Sequence, residues 1–122
     1  MAYDENNVFA RIIRGEIPCD KVYEDDHVLA FHDINPQTPT HVLVLPKGPY
    51  VSFDDFSEKA SEEEIAAFVR AVGKIARAQG VVDSGYRILA NTGAHANQEV
   101  PHFHLHIFAG KPLGRMIKPP DK

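Results

Sequence analysis

Three histidines stand two residues apart in the stretch Pro101-His102-Phe103-His104-Leu105-His106-Ile107-Phe108. In a strand, residues i, i+2 and i+4 line one face. The spacing therefore predicts His102, His104 and His106 in one row, with neighbours about 6.5–7 Å apart. Phe103, Leu105 and Ile107 would take the opposite face, toward a core. A neutral imidazole is a nucleophile and a protonated one is an acid. Both forms are reachable near neutral pH, because the unperturbed pKa is about 6.5. Phosphoryl or nucleotidyl transfer can use both roles, together with stabilisation of phosphate charge. A well-placed acid or base is worth about 10²–10⁴ in rate. Two other readings compete. A lone strand histidine is ordinarily a surface or satisfied half-buried residue, although three in alternation fit that poorly. Three imidazoles and a water would also suit catalytic zinc, but convergence at about 2.1 Å strains the outer two.

The composition narrows the setting. The chain has 122 residues, of which 43% are hydrophobic and 25% charged, as expected for a single folded domain over 1–122. Thirteen Lys and Arg stand against 17 Asp and Glu, a net charge of −4. A protein that grips nucleic acid through phosphate neutralisation would carry a basic excess, so no nucleic-acid partner is expected. The single cysteine, Cys19, excludes an internal disulfide and a multi-thiolate zinc site. It reads as a small semi-buried residue. Apolar runs are too short to cross a membrane, and residues 1–7 lack a secretory pattern. The expected location is cytoplasmic, with no membrane partner.

The elements that would position the histidines follow from periodicity and punctuation. Apolar residues at 8, 9, 12 and 13 predict a short helix, stopped by Gly15 and Pro18. Lys21 to Glu24, Val28 to Ile34 and His41 to Leu45 read as strands. The clearest helix is 62–79, with Ser61 and Glu64 as a capping box and Gly80 as its stop. Its apolar stripe is Ile65, Phe68, Val69, Val72, Ile75 and Ala76. Tyr86 to Ala90 and His102 to Ala109 read as strands, separated by a polar loop over Asn91 to Pro101. Residues 1–7 read as a flexible N-terminus and 110–122 as a tail, in which Leu113 to Ile117 would add an edge element or meet a partner. Short connections between neighbouring strands favour an antiparallel sheet with one long and one short helix against it, an α+β domain.

The histidine stretch resembles the signature of the histidine triad (HIT) family, His-x-His-x-His followed by two apolar residues. Further blocks look like the same family: Phe9 to Pro18 (FARIIRGEIP), Leu29 to Gln37 (LAFHDINPQ), Pro39 to Lys47 (PTHVLVLPK) and Gln98 to His102 (QEVPH). The likeness spans residue 8 to about 110 and is nearest to the branch of nucleoside phosphoramidases that bind purine nucleotides.

The resemblance implies a HIT fold that dimerises into a continuous sheet. It implies metal-free attack on the α-phosphate of a nucleotide conjugate, with AMP or GMP conjugates as partners and no cofactor. His104 would be the nucleophile that forms a nucleotidyl-imidazole intermediate. His102 and His106 would bind phosphate oxygens and assist the leaving group, and His41 would orient the triad. Asp33 would accept from both ribose hydroxyls, a geometry that suits a carboxylate; otherwise it caps the Asn35-Pro36 turn. Phe9, Ile12, Phe31 and Ile34 would form the slot for the base, with the backbone of His32 beside it. Asn91, Asn97, Gln98, Glu99 and Val100 resemble the phosphate-contacting groups.

Several positions depart from the family pattern. Many relatives carry Ser or Thr where Glu99 stands, and an ionised Glu only accepts hydrogen bonds. Glu99 would instead pair with a basic leaving amine. Asn7 and Ala10 occupy the places of a Cys-x-x-Cys that helps bind structural zinc in some relatives, so no such site is expected. The chain has no Trp, unlike the tails of animal members. His27, His32 and His95 read as surface or supporting residues. Two further functions stand beside phosphoramidate hydrolysis: dinucleoside polyphosphate hydrolysis, and a nucleotide- or partner-binding module with incidental turnover.

Overall fold

The protein is described by a computed structural model, which covers residues 2–117. The end of the tail, with Pro119 and Pro120, lies outside the described residues. Helix α1 (Val8–Ile13) is followed by β1 (Lys21–Glu24), β2 (Val28–His32) and β3 (Thr40–Pro46). Two helices come next, α2 (Phe53–Lys59) and α3 (Glu62–Ala78). Strand β4 (Tyr86–Leu89), a 3₁₀ turn (Ala94–Ala96) and β5 (Leu105–Ala109) complete the order. The strands form one sheet in the order β1-β2-β3-β5-β4, antiparallel throughout. No described helix is long and apolar enough to cross a membrane.

The helices end where their caps dictate. Asn7 accepts from the Ala10 amide at the start of α1. Gly15, at φ 80°, closes it with paired bonds from Gly15 N–H to Ile12 and from Glu16 N–H to Arg11. Ser61 and Glu64 form the expected capping box on α3. Helix α2 is an addition to the long and short helices expected from sequence. Its signal is Ser52-x-x-Asp55, a second capping box in which the Asp55 carboxylate accepts from the Val51 and Ser52 amides at 2.7 Å each. Seven residues present too little periodicity for a stripe to show.

Strands β2 and β3 are covered on both faces. On one side Val28, Ala30, Val42, Val44, Phe103 and Ile107 pack against Phe56 of α2 and Phe68, Val72 and Ile75 of α3. On the other, Leu29, Phe31, Leu43 and Leu45 pack with Phe9 of α1, Ile12, Ile13, Cys19 and Val100. Val69, assigned to the α3 stripe from sequence, is instead 63% exposed. Ala71 fills the face in its place.

Strand β5 begins at Leu105, not His102. Its ladder with β3 starts at the pair Val44–Leu105. Further along, the Phe103 N–H bonds the Tyr50 carbonyl at 2.8 Å, and Pro46 has no N–H to give. The chain therefore leaves the ladder before His104 yet keeps its alternation. Strand β2 likewise stops at His32, which leaves Asp33 and Ile34 in the turn beyond it. The end of the chain makes no described strand. Met116 and Ile117 are exposed, and Arg87 bonds the Gly114 carbonyl at 2.7 Å.

Candidate active site

The α1 face of the sheet carries the histidine cluster. Strand register explains the first contact. His41 pairs with Phe108 and Leu43 with His106, so His41 and His106 are diagonal neighbours. Their Nε2 and Nδ1 atoms lie 3.0 Å apart. The Gln37 amide donates to His41 Nδ1 at 3.2 Å, so His41 carries its proton on Nε2. That proton faces His106 Nδ1 and, at 3.4 Å, Asp33 Oδ2. His106 therefore accepts at Nδ1 and holds its own proton at Nε2. Phe108 stacks on the His106 ring with 3° between planes.

His104 is buried, with its ring set edge-on to Phe9 at 4.9 Å between centroids. Its Nδ1 lies 2.7 Å from the His102 carbonyl, which can only accept. The proton is thus fixed on Nδ1 and Nε2 keeps a lone pair. Burial holds the His104 pKa below the ordinary imidazole value. Burial also pushes His106 down to about 4, with His104 and His41 adding to the effect. His41 is lowered for the same first reason, against the pull of Asp33. All three are neutral at pH 7.

His102 does not join this row as an open phosphate-binding group. It is fully buried, and both ring nitrogens are already engaged. Nε2–H donates to the Pro46 carbonyl at 2.8 Å, and Nδ1 accepts from the Tyr3 hydroxyl at 2.5 Å. Burial pushes its pKa to about 4. The three imidazoles of the motif therefore do not converge on one ion. A different trio, Asp33, His41 and His106, brings its donor atoms within 4.8 Å of one another. Those atoms are oriented for hydrogen bonds. A cation there would require the His41 proton to leave Nε2 and the Gln37 amide to lose its acceptor.

A cavity of about 630 Å³ adjoins the cluster through Phe9 and Asp33. Phe9, Ile12, Phe31, His32, Asp33 and Ile34 line it together with Glu99, which the sequence reading set apart with the phosphate-contacting loop. Ile34 is 90% exposed and forms its rim. Asp33 Oδ1 accepts from the Asn35 amide at 2.8 Å, so the turn-capping role is present. Asn91, Asn97, Gln98 and Val100 lie outside the lining. Gln98 is structural: it donates to the Val51 carbonyl at 2.6 Å and accepts from the Gly93 amide. Val100 packs against the second apolar cluster. Asn97 adopts the left-handed conformation, φ 56° and ψ 47°, and its amide reaches Glu99 Oε1 at 3.4 Å.

The model of the HIT domain family matches residues 14–113. The chain belongs to that family. This HIT domain is 67% identical over 115 residues to an uncharacterised 13.2 kDa HIT-like protein of Azospirillum brasilense, covering 94% of each chain. It is 43% identical over 113 residues to the purine nucleoside phosphoramidase of Escherichia coli K12, covering 93% of this chain and 94% of that one. A histidine triad protein from Clostridium difficile superposes with a TM-score of 0.83 at 40% identity, over 95% of this chain and all of the other.

Sequence reasoning missed Tyr3, Gln37 and Phe108 around the HIT histidines. It also missed Cys19 and Asp20 in the cavity wall. No periodicity marks Tyr3, which meets His102 from 99 residues away. Phe108 was visible as an i+2 neighbour of His106 on the same strand face.

Proposed function

We propose that the protein hydrolyses purine nucleoside 5′-phosphoramidates and related AMP or GMP conjugates through a nucleotidyl-His104 intermediate, without a metal. The observation that carries this reading is the hydrogen bond from His104 Nδ1–H to a main-chain carbonyl, which leaves the lone pair on Nε2 of a ring that meets Phe9 of the cavity wall. In the first step the Nε2 lone pair forms a bond to the α-phosphorus and the P–N bond to the leaving amine breaks. The amine takes a proton, which we assign to His106 Nε2–H, because the protons of His41, His102 and His104 are already engaged in hydrogen bonds. Water then attacks phosphorus and gives a proton back to His106 Nε2, the P–Nε2 bond breaks, and neutral His104 and His106 return with AMP released. His41 holds His106 in the tautomer this requires. The base would lie among Phe9, Ile12 and Phe31, and the ribose hydroxyls would reach Asp33. Asn91 and the backbone of Asn97 to Val100 would meet phosphate oxygens. The purine assignment draws on the phosphoramidase relative, because apolar contact says little about which base is held.

Turnover of an adenosine 5′-phosphoramidate bearing a fluorescent amine tests the reading. We expect it to persist in EDTA. Loss in EDTA with recovery on zinc addition would overturn metal independence. Run across cationic and neutral amines, the same assay tests Glu99. Glu99→Ser should weaken the preference for cationic amines several-fold, as removal of one charge pair would. Equal relative rates in both forms would refute the pairing.

We also propose a homodimer joined through β4. The two sheet edges differ. The β1 edge carries a register irregularity, Lys21 and Glu24, features that blunt pairing. The β4 edge offers Ile88 at 50% exposure and Tyr86 at 39%, with unpaired backbone along it. Ile88→Lys should shift the sedimenting species from dimer to monomer. A wild-type chain that sediments as a monomer at high concentration would end this proposal.

A further inference from the structure

We infer that Tyr3 is a positioning residue for His104, acting from the N-terminal segment through the buried His102. This deepens the proposed reaction and rests on His104 being its nucleophile. The need for such a device follows from where His104 sits. It precedes β5 by one residue, so no ladder bond of that strand fixes its backbone. What fixes it lies in residues 102 and 103. The Phe103 amide is tied to the Tyr50 carbonyl, and the Phe103 ring is buried between α2 and α3. The His102 ring is the second peg, spanning Pro46 at the end of β3 and Tyr3. The carbonyl of that same residue holds the His104 proton on Nδ1. A shift of the His102 peptide would thus release the tautomer that leaves Nε2 free.

Tyr3 supplies the half of the peg that the sheet does not. His102 Nε2–H is spent on Pro46, so Nδ1 is a buried lone pair that needs a donor. The Tyr3 hydroxyl provides it at 2.5 Å, and the two rings meet edge-on at 5.6 Å. The segment that delivers Tyr3 is anchored rather than loose. Asn7 is buried, caps α1, and donates from Nδ2 to the Asp4 carbonyl at 2.7 Å. Arg14 bonds the Glu5 carbonyl at 2.8 Å. The region assigned from sequence to a flexible terminus thus docks against the histidine cluster.

The test compares wild type with Tyr3→Phe, which keeps the ring and removes only the donor. Long-range nitrogen NMR at neutral pH reads each imidazole tautomer, and turnover is referred to sites counted by AMP binding. We expect the His102 Nδ1 resonance to move toward that of a free, unprotonated nitrogen. His104 should pass from a single Nδ1–H tautomer to a mixture. The kcat should fall on the order of tenfold, as loss of a group that orients a functional histidine does, while AMP affinity and KM hold within about twofold. Tyr3→Ala should reproduce the same pattern with a larger fall. An unchanged His102 Nδ1 resonance would mean the contact is not made, and the inference fails. A shifted His102 with an unchanged His104 tautomer and kcat would reduce Tyr3 to a cap on a buried ring, and the inference again fails. Were wild type inactive on phosphoramidates, the proposed function would fall, while the His104 tautomer would still decide the role of Tyr3.

Discussion

His104→Ala should remove phosphoramidate turnover by at least about 10³-fold and leave AMP affinity within a few-fold of wild type. The asymmetry follows from the geometry. The His104 ring touches Phe9 but does not line the cavity that would hold the nucleotide, so its loss costs little binding area. Its Nε2, by contrast, is the nucleophile in the proposed step, and no neighbour can replace it. His106 offers its Nδ1 lone pair to His41, and His102 is sealed inside the protein. Equilibrium binding of AMP and single-turnover kinetics on the same preparations measure both quantities. Turnover that survives the substitution would remove His104 as nucleophile. Intact biological activity in a variant that binds but does not turn over would assign the protein to binding rather than catalysis.

The second large effect is on stability. Four buried or half-buried histidines, His41, His102, His104 and His106, are held neutral by the fold, with His102 and His106 pushed to about 4 from 6.5. The unfolded chain binds protons at these positions from about pH 6.5 downward, while in the native chain burial lowers all four and holds His102 and His106 unprotonated to about pH 4. Between those values the unfolded state holds more protons, so stability falls as pH falls. His102 alone accounts for up to about 3 kcal/mol at the bottom of that window. A loss of that size lowers Tm on the order of 10 °C for a domain of this length. Carboxylates held low by their partners, such as Asp55 under two backbone amides, extend the loss further into acid. Thermal melts from about pH 7 to about pH 5 should show a steep drop. A flat Tm across that range would mean the imidazoles already titrate freely in the native state.

Much of this arrangement was legible in the sequence because it rests on local rules. The capping box at Ser61 and Glu64 and the stop at Gly80 set the long helix, and β1 fell on Lys21 to Glu24 as read. Alternation correctly put Phe103 and Ile107 in the core. The failures share a cause. That His102 turns inward, that β5 starts late and that Gln98 serves its own loop all depend on partners distant in sequence: Tyr3, Tyr50, Pro46 and Val51. A period of two places side chains on a face. It does not say which main-chain carbonyl will already be waiting there. Asp33 and Glu99 are singled out only through whole-motif resemblance, since a single acid at a turn has no pattern of its own.

The sheet also acts as a partition. The α2 and α3 side holds the larger apolar cluster, and the α1 side holds the histidine cluster and the cavity. Substitutions at Phe68 or Ile75 should therefore alter how much of the chain is folded without altering what it holds, and changes at Ile12 or Ile34 the reverse. The two kinds of variation can accumulate separately along most of the chain. They meet in one short stretch, residues 103–107, where successive side chains pass alternately through the partition. There a change of ring size at Phe103 is felt one peptide away at His104, so selection on packing and selection on chemistry act there as one constraint.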